Sequence, residues 1–219
     1  SGSVRTRASA SRSAAEVTNA HCIVGTGFAL PAIDLVTALR SGGSVFAAEL
    51  RPPRAELAMH EGMDAWIDTY HAVRRLTRHG TFVFLTDSAV GSEEEDNLRH
   101  LITNLGADVP RERIVPFLTS KHPLEYCLSY AERAHQSGFP ALVVLGGDKS
   151  LGRPRAVEHG WQLREMLRQR DHAILLGGWA NPNADPEQQV DYLAAADFHA
   201  EFYLTQIVSH HALAPVARF

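Results

Sequence analysis

Cysteine is scarce in this chain: Cys22 and Cys127 are the two among 219 residues, far apart and in no metal-binding or redox spacing. That argues against a disulfide framework and for a reducing compartment, so a cytoplasmic location is expected. Also lacking is any apolar run of the roughly 20 residues needed to span a bilayer, so no membrane insertion is expected. Positive charge is in deficit too. A net charge of −4 and a pI near 6.3 give no long-range attraction toward phosphate backbones, and no aromatic and basic stripe compensates locally. Nucleic acid is therefore not expected as a partner. The twelve histidines include no HExxH or similar ligand spacing, and the adjacent His210 and His211 diverge on a strand or a helix, so no metal site is expected.

What is present suits one folded domain: 45% hydrophobic and 21% charged residues over a length sufficient for one sizeable core. Ser1 to Ala15 is rich in Ser, Ala and Arg, with no acid before Glu16 and no apolar middle of a secretory signal. Residues 1–28 read as a flexible N-terminal segment, with an organellar targeting segment as the alternative, and residues 29–219 as the domain. From Val45 onward, short runs rich in β-branched and aromatic residues recur: Val45 to Leu50, Thr81 to Thr86, Arg113 to Thr119, Ala141 to Leu145, His172 to Leu176 and Ala200 to Val208. Between them lie helical periodicities, such as Trp66, Tyr70, Val73 and Leu76, then Leu98, Leu101, Ile102 and Leu105. A strand repeat of about thirty residues with continuously apolar strands predicts parallel βα units.

A doubly wound sheet and a closed barrel both satisfy that pattern, and the polar residues discriminate between them. Neither a GxGxxG nor a P-loop follows the first strand; Gly25-Thr26-Gly27 lies before it and lacks the third glycine. By contrast, the strands end in polar or small residues: Glu49, Thr86-Asp87, Thr119-Ser120, Gly146-Gly147-Asp148, Gly177-Gly178 and Thr205-Gln206. Strand C-termini build the active face of a (β/α) barrel. The expected fold is an α/β, (β/α)8 TIM-type barrel of which about six βα units are recognisable. Such a barrel typically takes about 250 residues. Two units are missing before Phe219, so the chain is expected to be a fragment, or to receive its last units from another chain, in preference to an open sheet.

Four strand ends, in order, resemble one family. Glu49-Leu50-Arg51-Pro52-Pro53 is similar to the Glu-(aromatic)-(aromatic)-Pro-Pro signature of methylenetetrahydrofolate reductases. Phe117-Leu118-Thr119-Ser120 resembles that family's His-Leu-Thr-Cys, Leu145-Gly146-Gly147-Asp148 its Leu-Arg-Gly-Asp, and Phe202-Tyr203-Leu204-Thr205-Gln206 its apolar-Thr-Gln. The resemblance implies an oxidoreductase that reduces 5,10-methylenetetrahydrofolate to 5-methyltetrahydrofolate with NAD(P)H, in one-carbon metabolism. It also implies a catalytic role for Glu49, folate contacts for Asp148 and Gln206, and flavin contacts for Thr86, Thr119, Gly147 and Asp148.

The chemistry of these side chains is compatible. Opening an imidazolidine ring to an iminium needs a proton on nitrogen, which Glu49 would deliver before a hydride reaches the carbon. Asp148, taken as nearby, would hold Glu49 protonated or anchor the pterin, and Gln206 offers both donor and acceptor. Structural readings stand beside each. Glu49 would pair with a neighbour such as Arg51, Asp148 would cap a turn, Gln206 would be a satisfied core amide, and Thr86 and Thr119 would be strand formers.

The chain departs from the family where FAD is held. Phe117 replaces a histidine, Gly146 replaces an arginine, and the run Asn181-Pro182-Asn183-Ala184-Asp185-Pro186-Glu187 lacks the aromatic and imidazole residues of the family's Tyr-Pro-Glu and His-Pro-Glu. FAD is thus expected only if Lys121-His122, Lys149, Arg153 and Trp179 supply replacement contacts. The acidic run Glu93-Glu94-Glu95-Asp96 reads as a helix N-terminal turn. The alternatives are a non-redox folate-binding barrel, a partner subunit, or another one-carbon barrel enzyme. A homo-oligomer is compatible with all of these.

Overall fold

The computed structural model describes residues 33–53, 56–87, 97–170, 173–181, 184–195, 200–205 and 214. The N-terminal segment 1–28 with Cys22 and Gly25-Thr26-Gly27, the acidic run Glu93 to Asp96, Gln206 and His210-His211 lie outside the described residues.

Six strands, β1 (Ala47–Leu50), β2 (Phe82–Leu85), β3 (Ile114–Thr119), β4 (Ala141–Leu145), β5 (Leu175–Ala180) and β6 (Phe202–Thr205), lie side by side in chain order. Every neighbouring pair is parallel. A parallel neighbour in sequence requires a crossover. The crossovers are α2 (Met59–Arg78), α3 (Asn97–Asn104), α4 (Leu124–Gln136), α5 (Gly160–Gln169) and α6 (Pro186–Ala194). A doubly wound sheet reverses its strand order partway; this one never does, which separates it from the nucleotide-binding folds.

Strand alternation sorts side chains onto two faces. Val83 and Leu85, Ile114 and Leu118, Leu142 and Val144, and Leu176 pack in one cluster with Val73, Leu98, Leu101, Cys127, Leu163 and Leu167 from α2 to α5. The intervening residues Phe82, Phe84, Val115, Phe117, Ala141, Val143 and Phe202 form a second cluster on the concave face. A short N-terminal helix, α1 (Leu35–Arg40), contributes Leu35, Val36 and Ala38 to that inner cluster. Asp34 starts it by accepting hydrogen bonds from the Thr37 backbone N–H at 2.9 Å and hydroxyl at 2.7 Å.

The sheet curls into a half-barrel, with β1 and β6 as its two edges. The six units and the parallel order agree with the sequence reading, but the closed barrel is not formed by the described residues. Among the described residues each edge strand spans four residues.

One strand needs correction. The run His172 to Leu176 was expected to be the fifth strand, with Gly177-Gly178 at its end; β5 instead begins at Leu175 and continues through both glycines to Ala180. Gly177 pairs with Phe202 and Gly178 with Tyr203. A Cβ on Gly177 would overlap the Phe202 ring, and one on Gly178 would lie 2.9 Å from a Tyr203 ring carbon. The glycines are thus strand residues that make room for two aromatic rings, and not a strand-ending turn. Gly177→Ala should destabilise the protein by roughly 1–3 kcal/mol through overpacking. Denaturant unfolding measures this, and an unshifted midpoint would refute the packing account.

Candidate functional site

The C-terminal ends of the strands share one rim, and the sheet register says what each brings to it. Leu50 packs on the helix-side cluster, so the preceding residue, Glu49, falls on the concave face, opposite Phe84 in register. Glu49 is exposed on the β1 edge. Asp148 follows β4, three strands away. At ~4.8 Å per strand that is about 14 Å along the curled sheet, so strand pairing does not set the expected proximity of Asp148 to Glu49.

Asp148 is occupied locally. Its Oδ1 accepts from the Ser150 N–H at 2.7 Å, the Ser150 hydroxyl at 2.8 Å and the Leu151 N–H at 3.1 Å. These bonds, the Ser150 N–H foremost, hold its carboxyl below the usual carboxylate range, so it acts as an ionised turn cap. Gly147 has φ +74°, a conformation favouring glycine, and its carbonyl accepts from Arg155. The Thr86 hydroxyl reaches the Leu50 carbonyl, at 3.5 Å.

Thr119 is 2% exposed, and what it touches was not anticipated. Its N–H and hydroxyl donate to Asp87 Oδ2 at 2.7 and 2.9 Å. The same carboxylate oxygen lies 2.9 Å from His122 Nε2. Only 4% of the Asp87 side chain and 8% of the His122 side chain are exposed. A buried carboxylate thus ties the end of β2 to the end of β3. The signal was present in the alternation: Asp87 continues the helix-side series Val83 and Leu85 past the strand end, a place where a buried acid needs partners.

The segment between β4 and α5 is fastened to the same strand end. The Ser120 hydroxyl donates to the Gly146 carbonyl at 3.0 Å, and the Ser120 carbonyl accepts from Ala156 N–H at 2.6 Å. Lys121, 2% exposed, turns inward and donates to the Leu151 and Arg153 carbonyls at 2.6 and 2.7 Å. Arg155 donates to the Glu158 carbonyl at 2.9 Å, and its guanidinium lies 2.9 Å from where a Gly146 Cβ would stand. Gly146 is glycine because an arginine from the following segment covers it.

These contacts bear on FAD. Lys121 is held by two carbonyls, His122 by Asp87 and Arg155 by two carbonyls, so these three are already engaged. Of the other groups expected to hold a flavin, Lys149 is exposed and Arg153 half-buried; nothing in the described residues supports FAD in particular, and no step is derived through it. Among the described residues no group of three or more His, Cys, Asp or Glu side chains is arranged to hold a metal. No helix among them is long and apolar enough to cross a membrane.

The other side of the rim is apolar. Trp179 pairs with Leu204, whose side chain joins the concave cluster, so the indole lies on the concave face, with Leu145 of β4 on its other flank. It is 42% exposed.

No protein-family model matches the chain, and no curated protein matches its sequence. Among solved structures it is similar to an uncharacterised protein from Clostridium thermocellum that binds two copies of 5-methyl-5,6,7,8-tetrahydrofolic acid, with a TM-score of 0.55 and 16% identity. The match covers 82% of this chain and 60% of that one. At this identity the likeness establishes the fold, and the chain spans 60% of its neighbour's length.

Cys127 gives a test of this packing. Its thiol is buried beside the Thr119 and His122 carbonyls, each 3.6 Å away. Burial, and then the Asp87 charge, push it up to about 12. The unfolded thiol titrates near ~8.5, so the folded state keeps its proton longer. The resulting stability is complete below about pH 8.5 and is lost as pH rises toward 12, by up to ~1.4 kcal/mol per pH unit. In urea titrations between pH 8 and 10, Cys127→Ala should flatten that fall; an equal slope in both proteins would show that the thiol is not so held.

Proposed function

We propose that this chain binds a reduced folate of the methyltetrahydrofolate class on the open concave rim of its half-barrel. The observation that carries this reading is the shared fold with a protein that binds 5-methyltetrahydrofolate. The residues of the rim support it. Glu49 on one side is a carboxylate free to accept hydrogen bonds from the amino and N–H groups along a heterocycle's edge, and Trp179 on the other side offers an aromatic surface. The strand-end motifs Glu49-Leu50-Arg51-Pro52-Pro53 and Leu145-Gly146-Gly147-Asp148 point the same way, through their resemblance to the folate reductases.

The finer reading is reduction of 5,10-methylenetetrahydrofolate. A proton passes from the Glu49 carboxyl to a ring nitrogen, the imidazolidine C–N bond breaks to give an iminium, and NAD(P)H delivers hydride to that carbon, leaving NAD(P)+ and the 5-methyl product. Glu49 is favoured for that role by its place on the concave face. Nothing in the rim beyond Glu49 singles out redox chemistry, so binding is the primary proposal.

Calorimetric titration with 5-methyltetrahydrofolate tests it. We expect saturable binding by the wild type and about tenfold weaker binding by Glu49→Gln, which keeps the shape and loses the charge. An absence of wild-type binding at millimolar ligand would refute the proposal. Oxidation of NADH that depends on methylenetetrahydrofolate, and that Glu49→Gln abolishes, would establish the finer reading; binding without turnover would leave a folate-binding protein.

A further inference from the structure

Resting on the folate reading, we infer that Trp179 is the stacking platform of the site, the residue that selects a flat conjugated ring. Three phenylalanines on the concave face, Phe84, Phe117 and Phe202, are each 6% exposed, whereas Trp179 on that face is 42% exposed. An indole left this wet forfeits apolar burial that its neighbours secure, which a protein tolerates where a ligand completes the contact. No ring or cation among the described residues stacks on it.

The indole is also pre-positioned. Trp179 lies inside β5, with neighbours in β6 paired at Gly177, Gly178, Trp179 and Ala180, so its backbone is fixed on a strand and not on a loop. Directly below it on the same face, Gly177 has no side chain, and the Phe202 ring fills that space. Leu204 and Leu145 flank the indole on the neighbouring strands. A carboxylate faces this apolar shelf across the rim, on β1. The arrangement takes a ligand with an aromatic ring for Trp179 and, along from it, a donor-bearing edge for Glu49, as the aminobenzoyl ring and the pterin of a folate provide.

The test uses 5-methyltetrahydrofolate with the wild type, Trp179→Leu and Trp179→Phe, read by calorimetry and by tryptophan emission. We expect Trp179→Leu to bind about tenfold more weakly and Trp179→Phe to stay within about threefold of wild type, because a phenyl ring still stacks. Wild-type emission should be quenched on binding, and Trp179→Phe, which retains Trp66 and Trp161, should lose most of that quench. Thermal melts confirm that the variants fold, as expected for a half-exposed site. Wild-type binding with unchanged affinity in Trp179→Leu would overturn this inference and leave the folate reading intact. Failure of the wild type to bind would overturn both.

Discussion

The structure depends on the consecutive parallel pairing of its strands. Because each strand lies beside the one before it and runs the same way, every connection must return across the sheet. The helices α2 to α5 all return on one face, burying Val83, Ile114, Leu142 and Leu176 beneath them. The opposite face is thereby left free of crossovers. It is filled partly by its own phenylalanines and by α1, and it opens at the strand ends. A reversed strand order would have put helices on both faces and moved any ligand site to the reversal point.

Rigidity at that opening comes from buried polar contacts at the end of β3. Asp87 collects Thr119 and His122, while Ser120 and Lys121 anchor the segment that follows β4. Each buried charge meets its partners, as the cost of burying an unpaired one requires. Removing the Asp87 carboxylate would strand His122 and the Thr119 N–H together, so these residues act as a unit. They hold the rim in shape beside the proposed ligand surface, where Glu49 and Trp179 are exposed on two different strands.

Much of the fold was legible from local pattern. Strand runs such as Ala141 to Leu145 are continuously apolar because both faces of a parallel sheet are covered, and that run coincides with β4. The fifth strand misled because Gly177-Gly178 reads as a strand end, and only the rings of Phe202 and Tyr203, some 25 residues on, explain why glycine sits inside a strand. Closure of the barrel depends on long-range pairing of β1, which no local pattern encodes. At the candidate site, the polar strand ends fall on one shared rim. Their individual uses were hidden: Lys121 and His122 read as replacement flavin contacts, but both are buried in structural bonds, and Asp148, expected near Glu49, is taken up by its own turn after β4. Side-chain direction decides those matters, and spacing along the chain does not carry it.

A half-barrel with an anionic side chain on one edge strand and a bare indole near the other is economical for holding a long, flat, polar-edged ligand, since each end is fixed by a different strand. The account stands or falls on where the ligand lies. Hydrogen–deuterium exchange with and without 5-methyltetrahydrofolate measures this directly. It should show protection at the ends of β1, β4 and β5, around residues 49–52, 145–148 and 178–181, with the convex helices unchanged. Protection confined to the helices, or none at saturating ligand, would contradict it.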